Sequence, residues 1–371
     1  MACVDSAAGN SGRVDLQGRL TDGSHGKKDR IMVKIGLVGV GFMGWIHYLA
    51  AQKLTGASLV AFASRDATKR AGDWRGIRGN FGPPGEQIDV AGLKTFATLE
   101  ELLADPEIDL VDCCNPTGAH PETAIAALRA GKHVLVEKAI ALDVADADRM
   151  LDAAKQAGKL LMVAHVLPYF PEFRFAVETV QSGKYGKLIA ANFKRVISQP
   201  DWSAAHADAA ATGGPSVDLH IHDTHFIGLL CGVPKAVFAT GIPNGPIISH
   251  VNTTYIYGDH GPSVACSSGA LAMKAREFVH GYEIYLERAT LTFESGVQPL
   301  TVLHADGSRD VPALGDGDPV GAFTAELQAA VDGVRTGQMP PLLSGQLARD
   351  ALSLCHLENQ AVRTGQIVPF A

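Results

Sequence analysis

From Val33 onward, short β-rich runs alternate with amphipathic helical stretches, and this rhythm restricts the chain to a parallel sheet joined by helical crossovers. Strands are predicted at Val33–Val38, Leu59–Ser64, Ile108–Cys114, His133–Val136 and Leu160–Val166. Helices are predicted at Gly44–Leu54, Leu99–Ala104, His120–Ala130 and Val144–Ala157, with Gly131 and Gly158 as stops. Parallel neighbours need such crossovers, since a hairpin turn joins only antiparallel strands. After Val166 the rhythm changes. Phe173–Gln181 reads as helical, followed by Ile189–Ser198 and strand candidates at Val251–Ile256, Ser263–Cys266, Glu283–Glu287 and Ala289–Phe293. Helical patterns at Ala322–Val334 and Ser344–Thr364 close the chain. The expected architecture is α/β followed by α+β, the second part an open, largely antiparallel sheet.

The first strand runs directly into Gly39-Val40-Gly41-Phe42-Met43-Gly44 and then a helix, the context that gives a G-x-G-x-x-G turn its meaning. Gly39 permits the turn, Gly41 lets backbone approach a pyrophosphate, and Gly44 lets helix and strand pack closely, with Phe42 and Met43 lining the same loop. The helix N-terminus presents unpaired amides to phosphate. This predicts a Rossmann dinucleotide-binding domain over residues 32–166, an α+β domain over 167–371, and a disordered tail over 1–31. The second strand ends in Ser64-Arg65-Asp66. Without a carboxylate at Ser64 to repel a 2′-phosphate, and with Arg65 able to pair with one, the cofactor expectation leans to NADP over NAD. Asp66 precedes a helical run and is expected to cap it.

The chain has 371 residues, 46% of them apolar and 19% charged, with a formal charge of −7. No block of Lys and Arg offers a footprint for nucleic acid or an anionic membrane, so a small-molecule partner is expected. Six cysteines without a C-x-x-C pair argue for a reducing compartment. With no apolar run near the ~20 residues of a membrane span, and no signal-peptide core, a cytoplasmic location is expected. The Gly/Pro-rich stretch between Trp74 and Lys94 is too long for an ordinary connection, which leaves open a lid, an oligomer contact or an inert solvated insertion.

Two places carry candidate chemistry. His133-Val134-Leu135-Val136-Glu137-Lys138 runs off the carboxyl end of a parallel strand, where open α/β sheets bind ligands, and so puts Lys138 at the cleft. Asp218-Leu219-His220-Ile221-His222-Asp223-Thr224-His225 follows Gly213-Gly214-Pro215. On a helix Asp218 and His222 share one face, with a carboxylate placed to orient an imidazole base. A strand would instead align His220 with His222 as a metal pair; the acid/base reading is preferred and no metal is assigned. His120, His165 and Tyr169 stand near strand ends and are candidates for the same cleft.

Together these residues resemble the Gfo/Idh/MocA oxidoreductases, the family of glucose-fructose oxidoreductase and inositol dehydrogenase. The resemblance rests on the Gly39–Gly44 turn, Asn115-Pro116-Thr117-Gly118-Ala119-His120, Ala130–Lys138, and Gly213-Gly214 followed by Asp218 and His222. It implies Lys138, Asp218 and His222 as the catalytic set, and Asn115, Pro116, His120, Glu137 and Lys138 as further cofactor contacts. It implies a substrate-binding and oligomerisation role for the second domain, a sugar, cyclitol or related polyol as substrate, and a homo-oligomer, dimer or tetramer; His165 and Tyr169 near the cleft, and His220 as a departure from the family, are expected as substrate contacts. Ala139 stands where the family usually has proline, and His220 where it often has a small residue. The expected reaction is hydride transfer between nicotinamide and a hydroxyl or carbonyl. Its rivals are a redox-neutral sugar-modifying enzyme with a transient keto intermediate and tightly bound NAD, and a non-catalytic NAD(P)-sensing regulator.

Overall fold

The computed structural model describes residues 32–198, 212–315 and 318–370; the tail expected over residues 1–31 lies outside them. Six strands form a wholly parallel sheet: β1 (Val33–Val38), β2 (Ala57–Ala63), β3 (Lys94–Phe96), β4 (Leu110–Cys113), β5 (His133–Glu137) and β6 (Leu161–Ala164). Their order is β3-β2-β1-β4-β5-β6. Chain order reverses between β1 and β4, so the crevice expected of a doubly wound sheet opens at their carboxyl ends. The crossovers carry α1 (Phe42–Ala51), α2 (Ala67–Arg70), α3 (Leu99–Leu103), α4 (His120–Arg129) and α5 (Val144–Ala157). Local chemistry sets their ends: Thr98 and Glu101 form a capping box on α3, Asp143 accepts from the Asp146 amide at α5, and Gly158 at φ +63° closes α5 in a left-handed turn.

After α6 (Pro171–Ser182) comes a nine-stranded sheet. It comprises β7 (Leu188–Ser198), β8 (Ala236–Asn244), β9 (Ile247–Ile256), β10 (Ser263–Ala272), β11 (Val279–Leu286), β12 (Ala289–Glu294), β13 (Gln298–His304), β14 (Arg309–Asp310) and β15 (Val368–Pro369). The order is β14-β13-β12-β11-β7-β10-β9-β8-β15, and only β7 and β10 pair in parallel. One face is buried. Along β9, Val251, Thr253 and Tyr255 point inward while Asn252 and Thr254 point out. Strand β11 starts at Val279, ahead of the expected Glu283, because its pairing with β7 extends to Val196.

Between the sheets run α7 (Pro215–Asp218) and α8 (Ile221–Cys231), and the chain ends with α9 (Gly321–Thr336) and α10 (Gly345–Thr364). These last helices return to the first sheet. Phe323, Leu327, Ala330 and Val331 of α9 are buried with Val33, Ile35, Leu37 and Trp45. On α10, Ala348, Ala351, Leu352 and Cys355 pack in one core with Val134, Val136 and Met150, whereas Leu354 and Ala361 pack under the second sheet. The segment 167–371 therefore covers both sheets.

The Trp74–Lys94 stretch is anchored at a few apolar residues, while residues 78–84 are exposed. Trp74, Ile77 and Ile88 are buried, and Trp45 donates its indole N–H to the Pro83 carbonyl at 2.9 Å. Phe81 meets Phe42 edge-on at 4.7 Å and stacks on Phe323 at 5.4 Å. Among the described residues no helix is long and apolar enough to cross a membrane.

Candidate active site

The glycine turn has the geometry its sequence demands. Gly39 sits at φ +96°, and a Cβ there would fall 2.6 Å from the Asn115 nitrogen. At Gly44 a Cβ would come within 2.1 Å of the Gly39 carbonyl oxygen. Gly41 differs: a Cβ would meet nothing within 4 Å, and no side chain caps α1. An open approach beside uncapped helix amides is a cradle that fits a dinucleotide pyrophosphate. Val40, Phe42 and Met43 frame it, Phe42 held by Phe81.

Strand β2 stops at Ala63, just before Ser64. Arg65 is exposed, while Arg70 reaches back to donate to the Ser64 carbonyl at 2.7 Å and Lys69 donates to the Val40 carbonyl at 2.6 Å. Asp66 is engaged as the cap of α2, accepting from Thr68 N, Thr68 Oγ1 and Lys69 N, and these bonds hold its carboxyl below the usual range. Lys69 and Arg70 escaped notice in the sequence because on a short helix they read as ordinary solvated charges.

Four elements converge on the other end. Strand β5 delivers Glu137 and Lys138, β6 delivers His165, and α7 and α8 bring Asp218 and His222 down from above. Lys138 Nζ donates to Asp218 Oδ1 at 2.6 Å and to the Asp218 backbone oxygen at 2.9 Å. The pair is 19% and 27% exposed, so it remains reachable from the cleft. The peptide after Lys138 is cis, although Ala139 is not proline. Asp218 thus bonds Lys138, where the sequence had suggested it would orient His222. The reason is the break at Leu219 and His220 between α7 and α8, which removes a continuous helical i, i+4 register.

His222 is half-buried against His165, their ring centroids 6.4 Å apart. His165 stacks on His225 at 3.9 Å, nearly parallel, and among the described residues no ring nitrogen of either finds a partner. Burial, then the Lys138 and Arg195 cations, hold the His222 imidazole well below its ordinary value, and burial pushes His225 down to about 3. The three rings are therefore neutral at physiological pH. Arg195 on β7 anchors this helix from behind: its Nε and Nη2 donate to Asp223 at 2.6 and 3.2 Å, both side chains buried.

The other expected residues make contacts of their own, and His220 lies away from the cleft. His220 is fully buried, 2.7 Å from a carboxylate oxygen of Glu358 on α10 and 3.3 Å from the Tyr255 hydroxyl. It points away from the cleft into the packing behind α8, so its expected substrate contact is not made. His220, Asp223 and Cys266 bring potential metal ligand atoms within 4.8 Å of one another, but Glu358 and Arg195 already engage two of them. His120 is buried between the carbonyls of Ala139 and Asn115, 2.8 Å from each, and ties the two strand ends together. Asn115 donates to Thr123 Oγ1 at 2.8 Å, and Pro116 opens the short turn that follows. Tyr169 is buried with an unpaired hydroxyl near Glu326.

Comparisons with known proteins agree with this architecture. Residues 33–165 match the model of an oxidoreductase family with an NAD-binding Rossmann fold, GFO_IDH_MocA. Its first domain is that of a Gfo/Idh/MocA oxidoreductase. Among curated relatives, myo-inositol 2-dehydrogenase of Thermotoga maritima is 26% identical over 343 residues, covering 87% of this chain and 94% of its own. The 1,5-anhydro-D-fructose reductase of Ensifer adhaerens is 27% identical over 90% of this chain and 98% of its own. Among solved structures, levoglucosan dehydrogenase in complex with NADH and levoglucosan superposes with a TM-score of 0.76 at 20% identity, over 91% of this chain and 99% of that one. An NAD binding oxidoreductase from Klebsiella pneumoniae reaches 0.78 at 20% identity, over 92% of this chain and 99% of that one. These superpositions extend the likeness in fold across the second sheet.

Proposed function

We propose that this protein transfers a hydride between NADP and a hydroxyl or carbonyl carbon of a sugar, cyclitol or related polyol. The observation that carries the reading is the Lys138–Asp218 pair beside a neutral His222, at the carboxyl edge of a parallel sheet whose first turn is built for a dinucleotide. The names of the relatives, inositol and levoglucosan dehydrogenases and an anhydrofructose reductase, support the substrate class.

When bound, the nicotinamide accepts or returns the hydride. The protein's own part is proton and charge handling. Lys138 donates to the substrate oxygen and stabilises the alkoxide as it develops, while Asp218 holds the ammonium in place. His222, neutral, takes the hydroxyl proton during oxidation and returns it during reduction. At the adenosine end the preference for NADP is supported by Ser64 in place of a carboxylate, by exposed Arg65, and by Asp66 being occupied as a cap. The same reading carries a cytoplasmic location, Asn115, Pro116, His120 and Glu137 as cofactor-side residues, His165 and Tyr169 as substrate-side residues, and a homo-oligomer.

A panel of myo-inositol, levoglucosan and 1,5-anhydro-D-fructose, each with NADP and with NAD, tests the reading through nicotinamide absorbance. Absorbance change with at least one compound, faster with NADP, is the expected result. Product formed without net absorbance change would replace it with redox-neutral chemistry, and no turnover of any compound would sink it.

A further inference from the structure

We propose that His47 is a positioning residue for Lys138, acting through Glu137. His47 lies on α1, one turn beyond the glycine loop, and is 1% exposed. Its Nδ1 is 3.0 and 2.9 Å from the two carboxylate oxygens of Asp112, in the middle of β4, and its Nε2 is 3.0 Å from Glu137 Oε1 at the end of β5. Carboxylates accept only, so both ring nitrogens must carry protons and the ring is an imidazolium. Burial alone would lower its pKa, but Asp112 beside it more than offsets that and holds it well above the ordinary value.

The second oxygen of Glu137 reaches the site. Oε2 accepts the backbone N–H of Lys138 at 3.0 Å, and the side chain of that same residue donates to Asp218 across the cleft. The carboxylate is thus pinned on one side by His47 and pins the base of the catalytic lysine on the other. Two buried carboxylates and one imidazolium leave a net charge of −1, so a further anion beside them would be costly. Nearby Glu326 of α9 is fully buried, with neither oxygen bonded among the described residues, and burial first, then Glu137, holds its carboxyl well above the usual range as a neutral acid. Without the imidazolium, Asp112 and Glu137 would face each other in a dry interior, and Glu137 would protonate or turn toward the cleft. Either change releases the amide of Lys138.

This inference rests on the assignment of Lys138 above, and a double-mutant cycle separates the two. His47→Gln keeps one N–H donor but no charge. With the panel compound turned over fastest, and rates normalised to the molecules that bind NADP, H47Q should lower kcat roughly tenfold to a hundredfold, because misplacing a catalytic group by an ångström costs that much. KM and the NADP Kd should stay within about twofold. In single-turnover assays, H47Q added to Lys138→Gln should cost less than about twofold beyond K138Q alone, since a residue acting through Lys138 has nothing left to position. A merely structural role would add its full loss in both backgrounds, and that additivity overturns the proposal, as does an H47Q enzyme within twofold of wild type. Should H47Q not fold, Asp112→Asn leaves the ring in place but removes the charge holding it, and the same cycle with D112N decides between the same outcomes. A K138Q enzyme of full activity removes the lysine assignment and this proposal with it.

Discussion

The ammonium of Lys138 donates to both a side-chain oxygen and the backbone oxygen of Asp218, at 2.6 and 2.9 Å, so one residue of α7 fixes the charge delivered by β5 from two directions. A cation held this way needs little reorganisation when a substrate oxygen becomes negative. Replacing Lys138 by Ala should lower kcat on the order of a hundredfold to a thousandfold. NADP binding, followed by protein fluorescence, should survive. Full turnover in K138A would remove the lysine from the mechanism.

The neutral state of His222 has a pH signature. Burial and its cationic neighbours lower the imidazole well below its ordinary 6.5, so the unprotonated, base-competent form persists as the solution is acidified past that value. Oxidative kcat/KM should therefore stay level through pH 6.5 and fall only below it, where protonation removes the base. H222N should lose the acid limb and on the order of a hundredfold to ten-thousandfold in rate. A His222-dependent limb centred at or above 6.5 would contradict the environment described for this ring.

Ser64 follows β2 directly, with Arg70 bonded to its carbonyl and Asp66 engaged as the cap of α2. Ser64→Asp restores a carboxylate that accepts from ribose hydroxyls and repels a 2′-phosphate. Titration of both cofactors should show the NADP Kd rising and the NAD Kd falling, reversing the order of preference. An unchanged ratio would mean that the strand end lies away from the ribose.

Buried Arg195 and Asp223 join β7 to α8 through two hydrogen bonds. Removing the guanidinium alone strands a carboxylate in the interior, so Arg195→Met should destabilise the fold by about 3 to 5 kcal/mol in denaturant unfolding. The double change R195M with D223L removes both charges and should recover most of that loss, the contrast that separates a stranded charge from lost packing.

Most of the first sheet was legible because its longer strands are largely apolar and closed by a turn residue, as in Val33–Val38 before Gly39. Strand β3 was not: Lys94–Phe96 is short and exposed, with no run to detect. Strand β8 was missed because Phe238 and Ile242 face outward, breaking the alternation. Within the site, Lys138, Asp218 and His222 were named from their own stretches of chain, but their partners were not. Asp112 within an apolar strand and Glu326 on the buried stripe of α9, beside Ala322, Phe323 and Leu327, were signals of a polar network that only tertiary packing could join to His47. The substrate contact expected of His220 is replaced by burial against Glu358 and Tyr255, partners far from it in the chain.

The return of α9 and α10 to the first sheet makes the order of building different from the order of the chain. A ribosome delivers β1 to β6 well before Phe323, Leu327 and Ala351 exist to cover them. The nucleotide half of the molecule is thus finished by its last fifty residues. A chimera that exchanges substrate domains at Val166 between two such enzymes would carry away the roof of the half it meant to keep, and a workable graft must leave both C-terminal helices with their original sheet.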